Sequence, residues 1–219
     1  MVTIMRFLLA LPLLLLAACG DTVMADLMRP VLGGPAADDP AGEAMPRSRL
    51  PAPAGDGLPA EPALSVRQGS RRVVAVMIEE NGERRLWRSP DGLVVAMDGA
   101  RVTATAGTRT YLAATRLDGP DPLDDPTALA ERPATLRRWV DLMRPDRSPD
   151  HMRFGLGLEC RLRAARSGEA LLVEERCGGG ASFTNRYWAV PETGAIWRSE
   201  QWVGEERPMV IEVLTPPAS

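Results

Sequence analysis

Residues 71–106 read RRVVAVMIEENGERRLWRSPDGLVVAMDGARVTATA, and this stretch decides the fold class. It contains three short sequences that are typical of turns between β-strands: Asn81-Gly82, Pro90-Asp91-Gly92 and Asp98-Gly99. The segments between them are rich in β-branched and other apolar residues. We therefore predict four successive antiparallel strands, at residues 71–80, 83–89, 93–97 and 101–106.

The first of these strands is apolar on both faces, which indicates a position inside the sheet rather than at its edge. We expect Asn81-Gly82 to form a two-residue type I′ loop, because both residue types tolerate a positive φ. That loop places Glu79 opposite Arg84 and Val76 opposite Trp87. Asp98-Gly99 is expected to form a second two-residue loop.

The C-terminal third predicts another hairpin. Strands are expected at residues 183–190 and 195–203 around a turn at Pro191–Gly194, with a last strand at 209–214. The four-residue loop places Trp188 opposite Trp197. The other face then carries five residues that could bind a glycan or a partner protein: Asn185, Tyr187, Arg198, Glu200 and Trp202. Alternatively, the tryptophans belong to the core and Tyr187 forms a cation–π pair with Arg198.

Between these regions the pattern is weaker. Residues 118–133 read as a connection rich in proline and aspartate, with one helical turn at 127–131, and a strand is expected at 135–143. Overall, the sequence predicts a mainly β protein. Residues 64–219 form a single antiparallel domain, a meander that is barrel-like or arranged as a sandwich.

The N-terminus predicts an envelope lipoprotein. An apolar run, Phe7–Leu16, follows Arg6 and is too short to span a bilayer, so it is typical of a secretory signal. It leads into Leu16-Ala17-Ala18-Cys19, which resembles the lipobox of bacterial lipoproteins. Residues 1–18 are then the signal peptide and Cys19 carries the lipid. The alternatives are an ordinary signal peptide with a chance cysteine, or a short membrane anchor.

Residues 19–63 are rich in proline, alanine and glycine and contain few large apolar residues. Such a composition is typical of an unstructured tether. Gly20, rather than an aspartate, follows the cysteine, and by resemblance to Gram-negative lipoproteins this favours the outer membrane, with the domain facing the periplasm.

The two other cysteines are expected to pair. Cys160 and Cys177 are an even pair in an oxidising compartment once Cys19 carries lipid. If Gly168-Glu169 is a two-residue hairpin loop, the register places Cys160 directly opposite Cys177 at a non-hydrogen-bonded site. This geometry predicts a disulfide.

Composition excludes several functions. The net charge is −3 and there is no basic run, so nothing indicates a nucleic-acid partner. The chain contains no lysine, which excludes a Schiff base or a phosphate-loop lysine. His151 is the single histidine, which excludes a histidine-rich metal site. We expect no cofactor and no metal.

Several segments resemble the YjbF/GfcB family of exopolysaccharide and group-four capsule lipoproteins. They are Leu86–Gly92, Asp98–Val102, Asp121–Leu123, Asn185–Trp188, Glu192–Gly204 and Ile211–Leu214. The resemblance covers about residues 66–217 and implies a mostly antiparallel β fold without known catalytic residues. The proline-rich segment 20–63 is longer than the resemblance leads us to expect.

The resemblance implies a non-enzymatic accessory lipoprotein in polysaccharide export or assembly, which binds the glycan or an export protein. One alternative is an enzyme that cleaves or modifies polysaccharide with a carboxylate pair, such as Glu200 with Glu192 or Glu212. Another is a purely structural envelope lipoprotein.

Overall fold

The computed structural model describes residues 59–217, which form one antiparallel sheet of twelve strands. The predicted signal peptide, Cys19 and most of the predicted tether lie outside the described residues. The strands are β1 (Ala63–Gln68), β2 (Arg71–Asn81), β3 (Arg84–Arg88), β4 (Val94–Asp98), β5 (Arg101–Ala106), β6 (Tyr111–Leu117), β7 (Ala134–Met143), β8 (Arg153–Ser167), β9 (Ala170–Gly179), β10 (Phe183–Ala189), β11 (Ile196–Gln201) and β12 (Met209–Thr215). The prediction of a mainly β domain is confirmed.

The strands follow one another in an up-and-down meander. From one edge to the other, the order is β5-β4-β3-β2-β1-β12-β11-β10-β9-β8-β7-β6, so the first and last strands pair in the middle. The sheet curls until its edges approach each other, where the Thr105 hydroxyl on β5 accepts a hydrogen bond from the Leu112 amide on β6 at 3.0 Å. The sequence allowed a barrel-like arrangement or a sandwich, and the structure adopts the barrel-like one.

The core fills the inside of this curl. Burial alternates along β7, β8 and β9, so that every second side chain points inward. Fully buried apolar residues come from strands all around the sheet, including Leu64, Val95, Leu158, Val173 and Met209. Within residues 59–217 no helix is long and apolar enough to cross a membrane.

Short connections complete the fold. The one α-helix of the described chain, α1 (Ala128–Glu131), falls within the predicted helical turn, and 3-10 turns lie at Pro122–Asp124 and Pro149–His151. β7 lies where a strand was expected. β1 and β6 were not predicted from the sequence; β6 reads YLAATRL, which is poor in β-branched residues.

Two hairpin loops lie one residue later than predicted. Asn81 pairs with Arg84 and Asp98 with Arg101, so the loops are Gly82-Glu83 and Gly99-Ala100. Gly82 and Gly99 have φ of 60° and 53°, whereas Glu83 and Ala100 are not among the residues with positive φ. Glycine therefore takes the one left-handed position, at the start of each loop, as a type II′ turn requires. The prediction of a type I′ loop at Asn81-Gly82 was wrong.

The register of β2 against β3 differs from the predicted one. The loop between them lies one residue later, and β2 also contains a bulge. Glu79 lies opposite Leu86 and Val76 opposite Arg88, with an irregularity between Met77 and Glu79. β2 is interior to the sheet, as predicted. Its outer face is nevertheless open to solvent, because Val74 is 39% and Ile78 is 50% exposed.

Candidate functional site

The predicted disulfide is confirmed. Ser167 pairs with Ala170 around Gly168-Glu169, and the register carries Cys160 directly opposite Cys177. The two sulfurs are bonded, and the Cα atoms are 4.0 Å apart. Both side chains are buried on the inner face of the sheet.

The five residues predicted to share one face are divided between two faces. Ala189 pairs with Ile196 as the loop requires, but Trp188 then pairs with Arg198, so Trp197 is the extra residue of a bulge. A one-residue shift moves the following side chains to the other face of the sheet. The expected pairing of Trp188 with Trp197 is therefore wrong, and Trp197 is 44% exposed.

Arg198 and Glu200 lie on the outer face. The Arg198 guanidinium donates to Glu212 at 2.7 Å and to Glu200 at 3.1 Å. Its central carbon also lies 5.0 Å from the centre of the Trp188 ring. The cation–π partner of Arg198 is thus Trp188 and not Tyr187.

Tyr187 and Asn185 lie on the inner face and are almost completely buried, at 0% and 1% exposure. Trp202 lies beside Phe183, with the two rings stacked and their centroids 4.4 Å apart. The structure thus brings Asn185 and Tyr187 together. Trp202 also lies close to Asn185, because the backbone amide of Trp202 donates to Asn185 Oδ1 at 2.7 Å.

Tyr187 and Asn185 belong to a group of polar side chains inside the curled sheet, which we call the buried cluster. It joins residues from β5, β7, β9, β10, β11 and the connection after β6: Arg101, Asp121, Arg138, Glu175, Asn185, Tyr187 and Gln201. Two arginines and two carboxylates make its charge balanced. Burying such groups is unfavourable unless they compensate one another.

Arg101 lies at the centre of the cluster. Its side chain is 1% exposed and reaches two carboxylates. Its Nη1 donates to the two oxygens of Glu175 at 2.9 and 3.1 Å, and its Nη2 donates to Asp121 at 2.9 Å. Its Nε also donates to Asp121. Such charge-assisted bonds are the strongest hydrogen bonds that side chains form.

The amide and hydroxyl groups complete these bonds. Asn185 Nδ2 donates to Glu175 at 2.6 Å, and the Tyr187 hydroxyl lies 3.2 Å from Glu175 and 3.3 Å from the Gln201 oxygen. That oxygen also accepts from the Val102 amide at 2.9 Å. The cluster therefore connects β5 to β9, β10 and β11 through the interior of the curled sheet.

The protonation states follow from these contacts. Burial raises the pKa of Glu175, but the guanidinium groups of Arg101 and Arg138 outweigh it, so the pKa lies below its ordinary value of 4.5. Burial opposes the charge of Arg101, yet the carboxylate of Glu175 holds its pKa well above the ordinary value. Burial and the Glu175 charge raise the pKa of Tyr187, so the phenol stays protonated.

Most donors and acceptors of the cluster are already paired with one another, but the Nε of Arg138 is buried without a hydrogen-bond partner among the described residues. Cys160, Cys177 and Glu175 have ligand atoms within 4.8 Å of one another, the spacing of a metal site. The two sulfurs form the disulfide, however, and therefore offer no thiolate. Glu175 is already held by Arg101 and Asn185.

Several hollows of the described domain lie outside the cluster. The first, here called the outer groove, has a volume of roughly 930 Å³ and lies on the outer face of β7, β8 and β9, where Trp139, Arg161 and Arg176 line it. The second, of roughly 780 Å³, has a largely apolar lining that includes Trp87 and Met97. Neither hollow was predicted from the sequence.

A sequence signal for the cluster did exist. Arg138 takes the inward position between Leu136 and Val140, and Glu175 takes the inward position between Val173 and Cys177. A charged residue in an apolar row of an alternating strand indicates a buried ion pair. The partner of Glu175 could not be identified, because Arg101 is 74 residues away.

Comparisons with known proteins agree with this fold. Residues 59–214 match the family model described as "Group 4 capsule polysaccharide lipoprotein gfcB, YjbF". Among solved structures, the chain resembles the hypothetical lipoprotein YmcC from Escherichia coli (K12), with a TM-score of 0.62 and 18% sequence identity over 74% of this chain and 87% of that one. At this identity the likeness shows the fold alone. No curated protein matches the chain.

Proposed function

Because the chain belongs to the YjbF family of group 4 capsule polysaccharide lipoproteins, we propose that it is a non-enzymatic accessory factor in the export or assembly of an extracellular or capsular polysaccharide. The family match carries this proposal, since it covers residues 59–214 and thus nearly all of the described domain. The protein acts by binding either the glycan or a protein of the export machinery.

In this proposal the protein is anchored in the outer membrane by a lipid on Cys19, and its domain faces the periplasm. The lipobox at residues 16–19 supports the anchor, as does the description of the family as lipoproteins. The sequence from Cys19 to β1, which begins at Ala63, is long enough to hold the domain away from the membrane surface.

The outer carboxylates support binding rather than glycan cleavage. Two catalytic carboxylates must lie on either side of the glycosidic bond that is cleaved. Glu200 and Glu212, two of the carboxylates considered for catalysis, both accept from the guanidinium of Arg198. The space between them is therefore occupied by a side chain of the protein itself rather than open to a sugar.

The proposal is tested in the bacterium that encodes the protein, with wild type, a deletion strain and a Cys19→Ser strain. We expect a radioactive fatty acid to label the wild-type protein but not the Cys19→Ser variant, and the label to be recovered in the outer-membrane fraction. The deletion strain should lose surface polysaccharide, measured by uronic-acid or total-sugar assay of washed cells.

Normal surface polysaccharide in the deletion strain, combined with sensitivity to detergent, would instead indicate a structural envelope lipoprotein. Incubation of the purified chain with the polysaccharide of its own host should leave the size distribution of the glycan unchanged. A shortened product would replace the binding role with an enzymatic one.

A further inference from the structure

The outer groove carries an excess of positive charge. Arg161 on β8 lies directly opposite Arg176 on β9, and like charges in that relation destabilise a sheet. Across the groove, Arg137 pairs with the single lining carboxylate, Glu159, at 3.1 Å. Three arginines and one glutamate therefore line it, leaving two positive charges in excess.

Carboxylates outside the groove do not remove this excess. Arg176 reaches Glu174 at 3.2 Å, but Glu174 is shared with Arg163 at 3.0 Å and with Arg186 at 3.7 Å. Arg161 forms no ion pair with any carboxylate in residues 59–217. The structure thus presents at least one exposed guanidinium, with five donors in a planar fork, to whatever occupies the groove.

Two of the three glycines that line the groove, Gly157 and Gly178, are not required by the fold. Gly178, inside β9, has no left-handed φ, and a Cβ atom added to it would meet nothing within 4 Å. An added Cβ at Gly157, opposite Trp139, would make only an ordinary contact of 3.7 Å with the indole. Gly179 differs, since its φ is +111°. Glycine inside a strand often marks a bulge, a bend or a place where a ligand or another backbone approaches closely, and open space above Gly178 fits the last of these.

We propose that the outer groove binds an acidic polysaccharide. Arg161 and Arg176 bind the carboxylate of a uronic acid or a similarly charged sugar, as the guanidinium fork favours. The face of a sugar ring packs against Trp139 over the open backbone at Gly157 and Gly178. This inference rests on the proposed function for its choice of a glycan, rather than a protein, as the ligand.

The test uses affinity electrophoresis of the full chain, purified in detergent, through gels that contain polygalacturonate or, in parallel, uncharged dextran. We expect polygalacturonate to retard the chain and dextran to leave its mobility unchanged. Replacing both groove arginines, in Arg161→Gln/Arg176→Gln, should raise the dissociation constant about tenfold or more, the size of one lost charge-assisted hydrogen bond.

The chain offers a matched control. Arg67 on β1 and Arg72 on β2 form a second cross-strand arginine pair, and neither lines the outer groove. The Arg67→Gln/Arg72→Gln variant removes the same charge and should change the dissociation constant by less than about twofold, since long-range charge alone contributes little at ordinary salt. Equal loss in both double variants would show a general charge effect and overturn the assignment.

A second variant leaves every charge in place. Gly178→Val fills the floor of the groove with a residue that favours strands, so the fold should be unharmed while binding is lost about tenfold. Retained binding in this variant, or no retardation of the wild-type chain, overturns the inference.

Neither result affects the proposed role in export, which the deletion strain tests. Lost surface polysaccharide in a groove variant with normal glycan binding would assign the groove to a protein partner.

Discussion

The buried cluster and the outer groove use the same side chain in opposite ways. Arg101 is 1% exposed and each branch of its guanidinium is paired with a carboxylate. Arg161, on the other face of the sheet, is exposed and has no carboxylate partner among the described residues. A charge in a dry interior must be compensated by the protein itself, whereas water compensates a charge at the surface. The first arrangement stabilises the fold, and the second is available to a ligand.

The same substitution in both regions measures this difference. Arg101→Gln leaves Glu175 and Asp121 without their partner, and we expect it to lower the free energy of unfolding by about 3–5 kcal/mol. Arg161→Gln should change it by less than about 0.5 kcal/mol, because the exposed Arg161 forms no ion pair among the described residues. Urea unfolding followed by tryptophan fluorescence measures both. Similar losses in the two variants would show that Arg161 is structural as well.

The disulfide lies between the two regions and joins β8 to β9, which contribute to both. Cys160–Cys177 on the inner face is the neighbouring pair to Arg161–Arg176 on the outer face. The bond closes a short loop, so reduction should lower the free energy of unfolding by about 3 kcal/mol in the chain-entropy model. Urea unfolding with and without a reducing agent measures this, and Cys160→Ala/Cys177→Ala is the control for the reductant. Identical midpoints with and without reductant would contradict the expectation.

The pH dependence should separate the regions as well. Because the pKa of Glu175 in the folded protein lies below its ordinary value of 4.5, its contribution to stability is complete above about pH 4.5 and is lost as the pH falls through the lower, folded value. The wild type should therefore lose stability in acid, and Glu175→Gln should be less stable at neutral pH with a shallower loss below pH 4.5. A Glu175→Gln variant with the wild-type acid slope would assign the acid sensitivity to other carboxylates.

Local chemistry allowed much of the fold to be predicted from the sequence. Gly168 at the first loop position fixes the β8–β9 register and, with it, the disulfide. The bulge at Trp197 has no such local signal, because neither glycine nor proline marks residue 197 as the position of an extra residue. One extra residue there was enough to separate Tyr187 from Arg198. The predicted binding face therefore does not exist as one surface.

The two sites were less predictable than the strands, because each is built from distant parts of the chain. Inward charges at Arg138 and Glu175 could have indicated a buried ion pair, but only the closed sheet brings Arg101 to it. The outer groove is lined by the outer face of β7, β8 and β9 together. Which side chains meet there follows from the pairing of three strands, which single-strand patterns do not encode.

The position of β1 has a mechanical consequence. Although β1 begins the described domain, it lies between β2 and β12 and is bonded to both from Ala63 to Gln68. The Thr215 hydroxyl further fastens the entering chain by donating to the Pro59 carbonyl at 2.7 Å. A force applied at residue 59 along the strand axis must slide β1 between two neighbours and break both rows of bonds together. An edge strand such as β5 would instead peel away one bond at a time, so the end nearest the predicted tether resists traction better than an edge strand would.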